Sequence, residues 1–240
     1  MNPDELFTGD ALVAARPITD GDVAALAPAT EGLDLDAPGR DGATLLFYAS
    51  WCARGGEPDR LAVVTALVQL GANPFRVARE DTGSVFDFSL QLARPDLLRA
   101  LLDAGVSADA RVQGGQAPAL FEALSTSGRP HRELLLARGA DVNARDAIGR
   151  TALMSAALQW HLDTVDELLD RGADPAVTDA TGMSFAWVLH DLRQGAPDDS
   201  PEARKLDALI ARSTYHGRVG WPPLSPAAER TRAQEAAATR

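Results

Sequence analysis

DAIGRTAL at residues 146–153 and LLDRGADP at residues 168–175 are the two segments that decide the fold. Gly149 in the first segment supplies a backbone with positive φ, and Thr151 can cap the helix that follows. The second segment ends an apolar, helix-like run at Gly172, and glycine is the residue that most often ends a helix. The stretch therefore predicts a turn, a capped helix and then a second helix that ends at glycine.

The same pattern recurs along the chain at a nearly constant period. Glycines end helix-like runs at Gly32, Gly71, Gly105, Gly139 and Gly172, with spacings of 39, 34, 34 and 33 residues. Asn, Asp, Ser or Pro follows the last four of these glycines within three residues, as expected for turns. A fixed period of this length indicates a repeat architecture, in which each repeat packs on its neighbours.

These residues resemble the ankyrin repeat, whose pattern is a D-x-x-G-x-T-x-L hairpin, two antiparallel helices and an L-L-x-x-G-A-D close. The best match is residues 146–175, and the resemblance covers roughly residues 10–212 as six repeats. It implies an all-α repeat solenoid of about six ankyrin repeats, with helix-turn-helix units joined by hairpin loops. The repeat is a scaffold that carries binding surfaces of many kinds, so the fold alone does not name a partner.

The repeats divide the chain into four parts. We expect an N-terminal capping helix and first repeat over residues 1–38, and central ankyrin repeats over residues 39–178. A C-terminal capping repeat follows over residues 179–212, and a Pro-containing, partly disordered tail covers residues 213–240.

Several positions depart from the regular pattern. Pro17 and Pro28 fall inside helices of the first repeat and are expected to shorten them, because proline removes a backbone donor. In the fourth repeat, residues 114–118 replace the usual hairpin signature. The second and sixth repeats carry insertions at residues 53–60 and 193–200, which are either contact loops of a binding face or neutral surface loops.

Composition argues against several classes of function. The chain has 34 acidic and 23 basic residues and a net charge of −11, so it favours a basic protein surface over nucleic acid as a partner. No apolar run approaches the ~18 residues that span a bilayer, so membrane insertion is not expected. Cys52 is the only cysteine, and no two histidines have the i, i+4 spacing of a zinc site. We therefore expect no metal, no cofactor and no catalytic residue.

The ankyrin resemblance implies a partner-binding surface made of the hairpin tips and the exposed side of each first helix, which together form a concave face. The residues of this chain that we assign to partner binding are Arg40, Asp41, Trp51, Asp81, Thr82, Ser84, Ile148, Arg150, Gln159, Met183 and Asp191. Trp51 and Ile148 stand out, because large apolar side chains at exposed positions are typical binding hot spots.

Other readings of these positions stay open. Trp51 could either bind a partner or pack beneath the adjacent insertion, and the sequence favours neither. An aspartate at a hairpin turn commonly accepts hydrogen bonds from its own backbone. A set of aromatic residues is expected in the core instead: Phe47, Phe86, Phe88, Phe121 and Trp187.

A narrower resemblance rests on the opening of the chain, from Glu5-Leu6-Phe7 to Gly42-Ala43-Thr44-Leu45-Leu46. It is similar to small bacterial ankyrin proteins that are encoded beside type VI secretion effectors, including lipases, and serve as their immunity proteins. The resemblance implies one protein partner, a bacterial effector, whose surface the net charge of −11 predicts to be basic. The repeat architecture favours a monomer when the chain is alone. The resemblance implies a periplasmic location if the chain is a leaderless mature form and a cytoplasmic one if it is the complete product. The alternatives are a general scaffold or stabilising adaptor of a bacterial enzyme, and an enzyme with a non-obvious site.

Overall fold

The computed structural model describes residues 2–79, 83–112, 117–214 and 223–238, and most of these residues are helical. The α-helices are α1 (Pro3–Leu6), α2 (Gly9–Asp20), α3 (Val23–Thr30), α4 (Leu45–Cys52), α5 (Pro58–Gln69), α6 (Val85–Gln91), α7 (Asp96–Asp103), α8 (Arg129–Ala137), α9 (Ala152–Leu158), α10 (Leu162–Asp170), α11 (Phe185–Gly195), α12 (Pro201–Thr214) and α13 (Pro226–Ala238). Two 3-10 helices cover Arg40–Gly42 and Ala119–Ala123. Strands β1 (Val77–Arg79) and β2 (Gly83–Ser84) form an antiparallel hairpin in which Val77 pairs with Ser84.

Successive helices pack in pairs, and each pair is one repeat. The pairs are α2–α3, α4–α5, α6–α7, α9–α10 and α11–α12. In the fourth repeat the 3-10 helix Ala119–Ala123 stands in place of the first α-helix and is followed by α8. The prediction of an all-α repeat solenoid with six repeats is confirmed.

The residues predicted to begin and end the helices do so. Thr44, Ser84, Thr151 and Ser184 each accept a hydrogen bond from the amide three residues later, at 3.1 to 3.4 Å. The closing glycines, from Gly32 to Gly172, have φ between +75° and +107°. This left-handed backbone is readily adopted by glycine alone, which explains why the period is marked by that residue.

The core lies between the helices and is built from aliphatic side chains. The first leucine of each closing pair is fully buried, at 0% exposure: Leu67, Leu101, Leu135 and Leu168. Burial of one such side chain stabilises the fold by roughly 1.5–3 kcal/mol. Among the aromatic residues expected in the core, Phe47 and Phe86 are buried, but Phe88, Phe121 and Trp187 are only half-buried. The expectation was wrong for these three; the ring of Phe88 stacks on Trp51, and the ring of Trp187 lies against His190 at an interplanar angle of 42°.

The chain forms two compact units. The N-terminal unit contains residues 1–114 and 133–139, and the C-terminal unit contains residues 115–132 and 140–240. The division passes through α8. No helix in the described ranges is long and apolar enough to cross a bilayer.

Two expectations about local structure were wrong. Pro17 does not shorten α2, which continues to Asp20, because Pro17 and Ile18 are buried in the core and this burial outweighs the lost donor. The insertions are only partly loops: α5 begins at Pro58, since proline suits the first turn of a helix, and α11 continues to Gly195. The loops that remain are residues 53–57 and 196–200.

The described part of the tail contains a helix. Within residues 213–240, α13 covers Pro226–Ala238. The Ala-rich sequence of α13 has high intrinsic helix propensity, although it carries no repeat pattern.

Candidate protein-binding fingers

Two hairpin tips of the C-terminal unit share one geometry, and we call residues 146–151 the fifth finger and residues 179–184 the sixth finger. In the fifth finger, Asp146 Oδ1 accepts hydrogen bonds from the amides of Ile148 at 3.0 Å and Arg150 at 2.8 Å. In the sixth, Asp179 Oδ1 accepts from Thr181 at 2.8 Å and Met183 at 2.9 Å. The reading of these aspartates as backbone-bonding residues is therefore confirmed.

The two fingers are joined directly. The amide of Ala180 donates to the carbonyl of Ile148 at 2.9 Å. Gly149 has a φ of +82°, and a Cβ atom there would lie 3.4 Å from the Ala180 nitrogen. Glycine is thus favoured by the backbone conformation, whereas the space beside the next finger would hold a Cβ atom in van der Waals contact.

Asp179 links the fingers electrostatically. Its carboxylate is fully buried, lies 3.3 Å from Nε of Arg150 and accepts a bond from the Thr181 hydroxyl at 2.6 Å. Burial raises the pKa of Asp179, but the hydrogen bonds from Thr181, Met183 and Arg150 outweigh it and hold the pKa below its usual value. The carboxylate is therefore ionised at neutral pH and holds Arg150 in place.

Three of the predicted contact residues meet at these fingers. Ile148 is 43% exposed, the Arg150 side chain is 30% exposed, and Met183 is half-buried. The fingers thus carry an exposed apolar side chain and an anchored cation. Gln159, just after α9, and Asp191, on α11, are both exposed, and neither is hydrogen-bonded to a described residue of the fingers.

In the N-terminal unit, Trp51 packs against its surroundings. Its ring stacks on Phe88 with centroids 6.3 Å apart and an interplanar angle of 17°. The Arg54 guanidinium lies 4.6 Å from the ring centroid and donates to the Trp51 carbonyl at 2.7 Å. Arg54 belongs to the insertion, so the packing alternative for Trp51 is realised, although the indole stays half-buried. An aromatic ring and an exposed cation are presented together.

The remaining predicted contacts of this unit behave differently from one another. Arg40 and Asp41 are exposed in a 3-10 turn, where Asp41 has a φ of +55°. Ser84 is only 3% exposed and forms a capping box with Asp87, so its assignment to partner binding was wrong. The Ser84 hydroxyl is already hydrogen-bonded to Asp87 in the helix cap. Asp81 and Thr82 lie outside the described residues.

Sequence reasoning missed one exposed apolar side chain of the fifth repeat. Trp160 is 44% exposed, and Leu158, two residues earlier, is 38% exposed. Trp160 also has a φ of +60°, at a helix end where glycine is usual. The available signal was a tryptophan directly after a predicted first helix, but the end of that helix was not fixed by the sequence. Among the described residues, no cluster of histidine, cysteine, aspartate and glutamate could hold a metal ion.

Comparison with known proteins identifies the repeats. Residues 89–179 match the family model of ankyrin repeats in three copies. The E3 ubiquitin-protein ligase KEG of Arabidopsis thaliana is 30% identical over 178 residues, which is 70% of this chain and 10% of that protein, so this chain spans a tenth of its relative's length.

Solved structures show the same fold. The ankyrin repeat domain of Bcl-3, of the IkappaB family, aligns with a TM-score of 0.62 and 27% identity over 84% of this chain and 86% of that one. A chain from the complex of a Bdellovibrio bacteriovorus predatory endopeptidase with an immunity protein aligns with a TM-score of 0.53 and 22% identity, over 82% of this chain and 97% of that one.

Proposed function

We propose that this chain, an all-α solenoid of ankyrin repeats, binds one protein partner through its fingers and neutralises it. Ankyrin repeats are protein–protein interaction modules, and their homologues are generally binding modules rather than enzymes. More narrowly, we infer that the partner is a toxin or effector secreted by a bacterium, such as a type VI lipase, and that the chain is its immunity protein.

The observation that carries the proposal is the exposure of Ile148 on a fixed backbone. Ile148 is 43% exposed, while its own amide is held by Asp146 and its carbonyl by Ala180. A partner that covers this side chain gains apolar burial with little loss of backbone freedom, because the finger is already ordered. Binding hot spots have this combination of a large side chain and a rigid support.

Charge supports a basic partner. The chain carries a net charge of −11, and no carboxylate of residues 2–60 forms an ion pair with a described residue. These carboxylates attract a basic surface and speed its association at low salt. The Bdellovibrio complex provides a precedent for this fold in a complex that contains an immunity protein and an enzyme.

The first prediction concerns Ile148, which is a better probe than Trp51 because truncation of Trp51 also removes its packing on Phe88. We expect the chain to recover a single protein from lysate of its source organism at one-to-one stoichiometry, with an affinity of roughly −12 kcal/mol, and to abolish its activity. Ile148→Ala should weaken binding by about 2 kcal/mol, measured by titration calorimetry with the purified partner.

Val13→Ala is the matched control, because Val13 is 52% exposed on α2 and lies outside the fingers. It should leave the affinity unchanged. Equal losses in both variants would reject the fingers as the binding surface. Several weak partners, or a tight partner that keeps its activity, would instead favour a scaffold or adaptor.

A further inference from the structure

The C-terminal helix α13 contacts the sixth finger on its outer edge. The Arg230 guanidinium donates a hydrogen bond to the carbonyl of Thr181. A Cβ atom on Gly182 would lie 2.5 Å from the carbonyl oxygen of Pro226 and 3.0 Å from Cγ of Arg230. The first turns of α13 therefore rest directly on the glycine of this finger.

The two corresponding positions of the fifth finger, Ile148 and Gly149, contact the next repeat. The fifth and sixth fingers are related by a shift of 33 residues, the spacing of the closing glycines Gly139 and Gly172, so Ile148 corresponds to Thr181 and Gly149 to Gly182. The Ile148 carbonyl accepts from Ala180, and Gly149 faces the backbone of residues 179–180. In each finger the same carbonyl and the same glycine are covered by a segment that lies further along the chain.

We propose that the first turns of α13 stand in for the finger of a seventh repeat and close the outer edge of the sixth finger within the same chain. A solenoid end exposes a surface that an internal repeat would bury, and terminal repeats need a cap. Here the cap is a helix, with an arginine side chain in place of a backbone amide as the donor to the finger carbonyl.

The length and composition of α13 allow its docking to be measured by amide exchange. The helix has 13 residues, a length at which isolated helices are marginal in water even when Ala-rich. Most of its described side chains are exposed, including Ala227, Thr231 and Arg232, so it buries little apolar surface of its own. Slow amide exchange along residues 227–238 therefore reports that the helix is docked.

The test is hydrogen–deuterium exchange of the full chain and of two matched variants. Arg230→Ala should accelerate exchange across α13 about ten-fold, since a hydrogen bond from a charged group contributes enough free energy for roughly that factor. Arg232→Ala is the control, because Arg232 is exposed on the same helix and makes no hydrogen bond with a described residue. Both changes introduce alanine, the best helix former, so lower helix propensity cannot explain a loss of protection.

A second pair of variants probes the contact from the finger. Gly182→Ala places a Cβ against Pro226, whereas Gly149→Ala imposes the same strain, at φ of +82° against +79°, without contact with α13. Only Gly182→Ala should release the helix. Exchange of α13 at the unprotected rate in the original chain, or equal exchange in Arg230→Ala and Arg232→Ala, would overturn the proposal. Protection that rises with protein concentration would also overturn it, because the helix would then dock on a second copy.

Discussion

At the scale of single residues, the fingers depend on carboxylates that bond the backbone rather than a ligand. Asp179 holds the amides of Thr181 and Met183 together with the side chain of Arg150. Asp179→Ala would leave these part-buried donors without their acceptor, so we expect the free energy of unfolding to fall by about 2 kcal/mol in urea titrations. Asp191→Ala, at an exposed position, should change it by less than about 0.5 kcal/mol.

The same carboxylate makes stability depend on pH. Because the folded-state pKa of Asp179 lies below its usual value, the unfolded chain binds more protons in acid than the folded chain. The contribution of Asp179 is fully present above the unfolded pKa of about 3.9 and is lost as pH falls through the folded pKa. Urea unfolding near pH 6 and near pH 3 should show a smaller acid-induced loss in Asp179→Ala than in the original chain. Equal losses would mean that other groups carry the acid sensitivity.

Residue-level prediction succeeded where the contact is local. Asp146 and Asp179 bond backbone amides within four positions of themselves, so the turn pattern alone fixes their role as turn acceptors. The environment of Trp51 depends instead on Phe88, which lies in the next repeat. Spacing within one repeat carries no information about which side chain of the neighbour will cover an indole.

At the scale of elements, the fourth repeat shows how a missing helix is compensated. The guanidinium of Arg132, 3% exposed, donates to the Ala123 carbonyl at 2.6 Å and to Glu167 at 2.7 Å. It thereby joins the 3-10 helix, α8 and α10. Thr164 reinforces the junction by donating to the Leu124 carbonyl at 3.0 Å. Carbonyls that lack the regular bonds of an α-helix are paired by side chains from other elements.

We predict that Arg132→Met lowers the free energy of unfolding by about 3–5 kcal/mol, because it leaves the Glu167 carboxylate without its buried partner. The double variant Arg132→Met with Glu167→Met should recover part of this loss in a double-mutant cycle. Arg138→Met is the control: its partner Asp103 is 48% exposed, and surface pairs contribute at most about 1 kcal/mol. Additive effects of Arg132 and Glu167 would contradict a coupled pair.

The helical elements were predictable wherever the hydroxyl cap and the closing glycine both occur. In the fourth repeat the closing glycine Gly139 is present but Pro118 replaces the hydroxyl cap, and a 3-10 helix forms in place of the first α-helix. The insertion at residues 53–60 is only partly a loop, because Pro58 begins α5. Proline occurs both in loops and in the first turn of helices, and the position of the flanking repeat decides which applies.

At the scale of the whole molecule, charge is distributed unevenly. The carboxylates of residues 2–60 have no described ion-pair partner, whereas six cations of the C-terminal unit do: Arg132, Arg150, Arg171, Arg193, Lys205 and Arg212. A net charge of −11 repels itself, and salt screens that repulsion.

We therefore expect the melting temperature to rise by about 3 °C between about 0.02 M and 0.5 M NaCl, as measured by calorimetry. The variant Asp20→Asn with Glu31→Gln, which removes two exposed carboxylates, should show a smaller rise. A fall in melting temperature with salt would mean that the ion pairs of the C-terminal unit dominate.

The repeat number and the class of the whole molecule could be predicted because one local pattern recurs with a fixed period. The role of the tail could not, since α13 follows no repeat pattern and meets the sixth finger through Pro226 and Arg230 alone among the contacts described. A contact formed by two residues does not produce a periodic pattern in the sequence.

The correspondence between the fifth and sixth fingers has an evolutionary consequence. Both expose the same carbonyl and the same glycine to whatever follows, so a tandem duplication of residues 146–178 would insert a module that fits both its neighbours. Such a lineage could lengthen or shorten its array by recombination between repeats while the terminal helix is inherited unchanged. Variation in array length among descendants, with a conserved arginine near the start of the last helix, would be the genomic record of that history.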